Sequence, residues 1–239
     1  MKTMNNSDIS ENELPEGLEY VSRGGQKLEK ALDFFKVTPK DKVCIDCGAS
    51  TGGFTDCLLK KGAKLVYAID VGYGQLAWSL RTDERVITME RTNIRYVTPD
   101  MLEVKPELAV IDVSFISLSL VLPVIKKLLT ESNEVICLIK PQFEAGRGKV
   151  GKKGVVRDPV THKEVLDSFI VNAENSGFKV RDITFSPVKG PKGNIEYLAK
   201  LESYSNPDDR HDSQTGTQSV SGNIVIDTKK IVGQSHREL

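Results

Sequence analysis

The sequence predicts one α/β domain built on a mostly parallel seven-stranded sheet. Three observations predict it. Short apolar runs alternate with stretches of helical spacing, the βα pattern of a parallel sheet. The runs are apolar on both faces, as strands covered on both sides require. The last two runs, 178–185 and 195–201, are joined too tightly to be parallel, so the sheet ends on an antiparallel strand.

Residues 1–19 read as a flexible acidic arm, rich in Asn, Ser and Glu. Ser22 caps a helix that places Leu28, Ala31, Leu32 and Phe35 at helical spacing. The turn Pro39-Lys40-Asp41 leads into the first strand, Val43 to Cys47. A helix from Phe54 to Lys61 stops at Gly62. The second strand, Leu65 to Ile69, closes at Asp70. Gly72-Tyr73-Gly74 opens a helix containing Leu76, Trp78 and Leu80. Val86 to Met89 is the third strand and Leu108 to Val113 the fourth, followed by a helix from Leu118 to Leu129. Glu134 to Lys140 is the fifth strand. Residues 143–157 form a loop with four glycines and five basic residues, long enough to serve as a lid or binding element. Pro159 begins a helix that reaches Asn175 and ends at Gly177. The domain spans 20–202. A polar linker covers 203–223, and 224–239 form a terminal helix with Ile224, Ile231 and Val232 on one side.

The composition, 39% hydrophobic and 28% charged, is that of an ordinary globular chain. Net charge is zero but uneven: residues 21–202 carry 28 basic against 23 acidic residues, so the body is modestly basic between acidic ends. That permits an anionic partner such as RNA without requiring one. The N-terminus shows no apolar signal region, so a cytoplasmic chain is expected. Glu107 to Leu129 is the most apolar stretch. Asp112 and Pro123 interrupt it and Lys126-Lys127 close it, so it reads as strand plus helix, not a membrane span. Cys44 and Cys47 form a C-x-x-C, but their odd offset on a strand sends them to opposite faces. With no second such pair, the four cysteines read as buried thiols and no metal site is expected.

The stretch from Val43 to Asp56 holds the strongest functional signal. It reads as strand, glycine turn and helix start. Gly48 turns the chain, and Gly52-Gly53 let the backbone approach a ligand at the helix N-terminus. The spacing G-x-x-x-G-G is not the dinucleotide G-x-G-x-x-G, and no Lys follows as in a phosphate-binding loop. Asp46 offers a carboxylate to a cation. Asp70, at the end of the second strand, stands where ribose hydroxyls are held. Cation, ribose and no phosphate together point to S-adenosylmethionine. Four further charges sit in apolar surroundings: Lys27, Asp112, Lys140 and Glu196. An isolated buried charge costs several kcal/mol, so these should pair.

The segments Tyr20-Val21-Ser22-Arg23-Gly24-Gly25-Gln26-Lys27-Leu28, Asp46 to Thr55, Asp112-Val113-Ser114-Phe115 and Ile139-Lys140-Pro141-Gln142-Phe143-Glu144 resemble the TlyA (haemolysin A) family, which groups with FtsJ-like ribose 2′-O-methyltransferases. The resemblance spans residues 20–201. It implies a Rossmann-like S-adenosylmethionine-dependent methyltransferase that acts on a ribose 2′-hydroxyl of structured RNA, with ribosomal RNA or ribosomal subunits as partner and cytidine as the target. It implies a catalytic tetrad of Lys27, Asp112, Lys140 and Glu196. It also implies a cofactor shell of Asp46, Gly48, Ser50, Thr51, Gly52, Gly53, Phe54, Asp70, Gln75, Leu76, Asn93 and Asp112. Lys140 would act as base or as orienting donor toward a hydroxyl that is a poor nucleophile. A base-amino methyltransferase would want Asn/Asp-Pro-Pro-aromatic after strand four, where this chain has Asp112-Val113-Ser114-Phe115; a cytosine C5 enzyme would want a Cys there. Only about 20 residues precede Tyr20, too few for the family's usual N-terminal RNA-binding domain, so RNA targeting stays open. Two other readings remain: a haemolysin-type membrane-active protein, and a cofactor-binding RNA-associated protein with little activity of its own.

Overall fold

The computed structural model describes residues 19–204 and 225–239. The expected arm up to residue 18, the expected linker from 205 onward and Ile224 lie outside the described residues. The elements are α1 (Gly24–Phe35), β1 (Val43–Cys47), α2 (Gly53–Lys60), β2 (Leu65–Ile69), α3 (Trp78–Arg81), β3 (Val86–Met89), β4 (Leu108–Ile111), α4 (Leu118–Leu128), β5 (Glu134–Ile139), α5 (Pro141–Glu144), α6 (Pro159–Asn175), β6 (Phe178–Phe185), β7 (Tyr197–Ser203) and α7 (Thr228–Glu238). The seven strands form one sheet in the order β3-β2-β1-β4-β5-β7-β6. Only β7 runs against its neighbours, pairing antiparallel with both β5 and β6.

The period of two along each strand sorts side chains into two cores. Ile45, Cys47, Tyr67 and Ile111 join α4, α6 and α7 residues in one core. Cys44, Val66, Leu108 and Val110 join α1 and α2 residues in the other. Cys44 and Cys47 therefore sit on opposite faces, as their spacing requires. All four cysteines are free and buried, and burial pushes the Cys44 and Cys57 thiols up to about 12.

The local signals account for most boundaries. Asp158 caps α6 by accepting the Val160 and Thr161 N–H groups, Pro159 fits the first turn, and Gly177 leaves the helix at φ +87°. Gly62 ends α2 at φ +90°.

Four differences from the sequence expectations matter. First, α3 is a single turn, and Leu76 lies before it. Residues 74–77 are pinned elsewhere: Gly74 N–H donates to Glu90 and Ala77 N–H to the Thr51 carbonyl. Second, Ser203 ends β7 rather than opening a linker. Third, Glu196 precedes β7 instead of lying inside it, and Asp112 and Lys140 stand one residue past β4 and β5. Fourth, Ser22 accepts the Gly24 N–H but stands one residue before the helix cap, Arg23.

Candidate active site

The chain leaves β1 in one direction and β4 in the other, so the sheet's switch point lies between these neighbouring strands. Ligands of open α/β sheets bind beyond the carboxyl ends of the strands at that point. Gly48 makes the turn there. Its φ is +88°, and a Cβ would stand 2.6 Å from the Asp112 carbonyl oxygen. The β1 turn thus lies against the tail of β4, and the Asp112 N–H donates to the Cys47 carbonyl at 2.9 Å.

Two hollows open on this turn. The larger, about 710 Å³, is lined by Gly48, Ser50, Asp70, Gln75, Asn93 and Asp112 among others. That is an ordinary size for a small-molecule site. Asp70 shapes its wall: Oδ2 accepts the Ser50 N–H at 2.8 Å and Oδ1 the Gly72 N–H at 2.6 Å. The smaller hollow, about 250 Å³, is lined by Lys27, Thr51, Gly53, Phe54, Arg23 and Lys189 among others. Gly48, Ser50 and Asp112 border both hollows. The expected cofactor residues are therefore divided between the two.

Asp46, Gly52 and Leu76 line neither hollow. A Cβ on Gly52 would stand 2.3 Å from Leu80 and 2.8 Å from Leu76, so Gly52 and Leu76 pack on one another. A Cβ on Gly53 would meet Ser22 Oγ at 2.2 Å. Both glycines thus approach the protein closely, at α3's flank and at α1, while Gly53 also lines the smaller hollow. Asp46 is wholly buried on β1. Thr55 Oγ1 donates to its Oδ2 at 2.7 Å, while its Oδ1 has no partner among the described residues. Burial pushes the Asp46 carboxyl up to about 7, with Thr55 opposing and the Asp112 and Asp70 charges adding. A buried carboxylate oxygen without a donor fits a cationic ligand at this strand end. Together with Asp70 and a loop that lacks phosphate ligands, the donor set fits S-adenosylmethionine.

The four expected catalytic residues form two ion pairs. Lys27 Nζ lies 2.6 Å from Glu196 Oε2, with side-chain exposures of 10% and 1%. Lys140 Nζ lies 2.6 Å from Asp112 Oδ1, a Coulomb contact outside hydrogen-bond alignment, and donates instead to Ser114 Oγ at 2.9 Å. Lys27 and Asp112 face the same small hollow. Sequence reasoning missed the residues that hold these groups. Gln142 reaches Glu196 Oε1 at 3.4 Å, and Gly190 leaves room for that carboxylate, since a Cβ there would stand 2.4 Å from Oε1. Glu144 accepts from Ser117 Oγ and the Leu118 N–H, tying the end of α5 to the start of α4. Burial raises its carboxyl pKa. The signal for Gln142 and Glu144 was their place beside Lys140; for Gly190 there was none.

At the rim, Phe115 is 90% exposed at φ +64° and leans on Phe143, ring centroids 4.9 Å apart. A strained, exposed aromatic marks a contact surface more than a packing residue. Phe115 and Phe143 share a wide hollow with Lys152, Lys153 and Lys192. Among the described residues no cluster of ligands could hold a metal ion, and no helix is long and apolar enough to cross a membrane.

The model of the FtsJ-like methyltransferases matches residues 20–203. YqxC of Bacillus subtilis, whose name marks it as a candidate rRNA methyltransferase, is 59% identical over 185 residues, which make up 77% of this chain and 66% of that one. The chain thus spans just under two thirds of that relative's length. The 16S/23S rRNA (cytidine-2′-O)-methyltransferase TlyA of Mycobacterium tuberculosis is 46% identical over 76% of this chain and 68% of its own. Hemolysin A of Brachyspira hyodysenteriae is 48% identical over 80% of each. A solved candidate hemolysin from Streptococcus thermophilus superposes with a TM-score of 0.83 at 49% identity, covering 93% of this chain and 76% of that one.

Proposed function

Because the chain belongs to the FtsJ-like methyltransferase family, we propose that it transfers a methyl group from S-adenosylmethionine to a ribose 2′-hydroxyl of structured RNA. Ribosomal RNA is the expected substrate and cytidine the expected nucleotide, by analogy with the TlyA relatives. The cytoplasm is the compartment where such RNA is met. The observation that carries this reading is the pairing of Lys140 with Asp112 and of Lys27 with Glu196, with Asp112 bordering both hollows.

Bound in the larger hollow, the cofactor would supply an electrophilic methyl on a sulfonium. Asp70 would hold its ribose hydroxyls, with Ser50 and Gln75 beside them, and the carboxylates of Asp46 and Asp112 would favour its positive charge. Lys140, steadied by Asp112 and Ser114, would meet the 2′-hydroxyl as base or as orienting donor. Lys27, fixed by Glu196, would line the substrate side. Transfer along one line then depends mainly on how these residues position the hydroxyl. Exposed Phe115 and Phe143 beside Lys152, Lys153 and Lys192 offer aromatic faces and positive charge, the combination that suits single-stranded or looped RNA.

Incubation with labelled cofactor, total RNA and intact ribosomal subunits, followed by nucleoside identification, tests this. A 2′-O-methylated nucleoside is expected. A base-methylated product would reject the 2′-hydroxyl reading. Cofactor binding without transfer would favour an RNA-associated protein with little activity. Lysis of lipid vesicles without RNA methylation would favour the membrane-active class that the hemolysin-named relatives suggest.

A further inference from the structure

Buried His162 and partly exposed His236 form a pair that the proposed chemistry does not use. His162, on α6, is fully buried. Its ring stacks edge-on with His236 of α7, centroids 4.9 Å apart, and with Tyr197 at 5.6 Å. Its Nε2 lies 3.0 Å from the Val156 carbonyl and its Nδ1 lies 2.9 Å from the Tyr197 hydroxyl. That hydroxyl is 3.1 Å from Ser235 Oγ on α7.

These contacts have a direction. A carbonyl only accepts, so Nε2 must carry the proton toward Val156. Burial lowers the pKa of both histidines and His236 lowers that of His162 further, which favours a neutral ring. Nδ1 of the neutral ring is then an acceptor, and the Tyr197 hydroxyl donates to it. Ser235 completes the chain with one proton shared between the Tyr197 hydroxyl and the Val232 carbonyl, 3.1 and 3.0 Å away. α7 is thus joined to Val156 through Ser235, Tyr197 and His162. Two further contacts bind α7 to the body: Thr228 donates to Asp167 Oδ1 at 2.8 Å, and Val232 is buried in the main core.

Val156 is the buried end of the glycine- and lysine-rich loop. Asn194 grips the same place from the β6–β7 connection: its Oδ1 accepts the Val156 N–H at 3.0 Å and its Nδ2 donates to the Gly154 carbonyl at 2.9 Å. Asn194 and Tyr197 flank Ile195 and Glu196, whose carboxylate holds Lys27. The loop's inner end and the catalytic carboxylate therefore share one support, and α7 closes it from behind.

We propose that α7 is a strap: its docking fixes Val156 through Tyr197 and His162, and so sets how the lysine-rich loop meets RNA. His162 and Tyr197 are positioning residues. The link to RNA rests on the methyltransferase reading above; the strap itself does not.

Hydrogen exchange on the full chain without RNA separates the two. Val232→Asp puts a charge in the core and should undock α7; Thr228→Val with Ser235→Ala is the milder form if the first does not fold. In either, the Gly151, Gly154 and Val156 amides should exchange faster by about five- to tenfold, the worth of one intramolecular hydrogen bond. In RNA methylation, KM for RNA should rise by a larger factor than kcat falls, while cofactor affinity holds. His162→Gln, which keeps a donor for Val156, should recover part of what His162→Leu loses. Fast exchange in α7 with unchanged protection of the three loop amides would overturn the strap. Loosened amides with unchanged KM would leave the strap standing and remove the loop from RNA binding.

Discussion

Glu196→Gln tests whether the candidate site is as dry as its geometry indicates. The substitution keeps the shape of the side chain and removes its charge. Lys27 Nζ, now 2.6 Å from Glu196 Oε2, would keep its charge in a side chain only 10% exposed. Gln142, whose Nε2 donates to Glu196 Oε1, is neutral and cannot offset the Lys27 charge. Removing one partner of a buried ion pair costs about 3–5 kcal/mol, whereas breaking an exposed pair costs at most about 1 kcal/mol. Glu196→Gln should therefore lower unfolding stability by about 3–5 kcal/mol in urea titrations followed by circular dichroism. Lys27→Met should do likewise by stranding Glu196. The double variant leaves no isolated charge and should be more stable than either single one, a coupling that a double-mutant cycle reads directly. Methyl transfer should stay lost in the double variant although stability returns, because the Lys27 ammonium is then gone from the substrate side. Single-variant losses below about 1 kcal/mol would show the pair to be hydrated and refute the reasoning.

Lys140→Ala should abolish methyl transfer with cofactor affinity nearly intact; Lys140→Arg separates the roles, since substantial activity in a guanidinium variant that cannot lose its proton would rule out Lys140 as the base. Asp70→Ala should weaken cofactor binding by about 1.5–3 kcal/mol in calorimetry, through lost ribose acceptors and a loosened Ser50 turn, and unchanged affinity would place Asp70 outside the site. Asp46, pushed up to about 7 by burial, holds a proton when folded that it releases near pH 4 when unfolded. Its contribution is whole below the ordinary carboxylate range and is lost as pH rises through about 7, so stability of the ligand-free protein should decline from pH 5 to 8 more steeply than in Asp46→Asn. Replacing Lys149, Lys152 and Lys153 with Ala should weaken RNA binding and flatten its salt dependence; an unaltered slope would assign the loop no phosphate contacts.

Local chemistry by itself determined the strands, the helix stops and the sheet plan of this chain. Apolar runs of strand length fixed β1 to β7 to within a few residues, and a period of two separated Cys44 from Cys47. Asp158, Pro159 and Gly177 bounded α6, because caps, fixed φ and left-handed φ act within a few residues of themselves. Charges in apolar runs singled out Lys27, Asp112, Lys140 and Glu196, since a buried charge demands a partner wherever the partner lies. Which partner it found was decided only in three dimensions. Lys27 meets Glu196 across 169 positions because β7 is laid beside β5, and no local pattern records that pairing. The same holds for Gly52 and Gly53, whose close approaches to Leu80 and Ser22 no local pattern records. Leu76 was drawn out of its expected helix when Thr51 and Glu90 took the backbone around it. His162 shows the limit most plainly: a lone histidine on an amphipathic helix acquires its meaning only when Tyr197, Val156 and a helix some 70 residues onward close over it. Side chains and short turns are set by their neighbours in sequence, and contacts by the path of the whole chain.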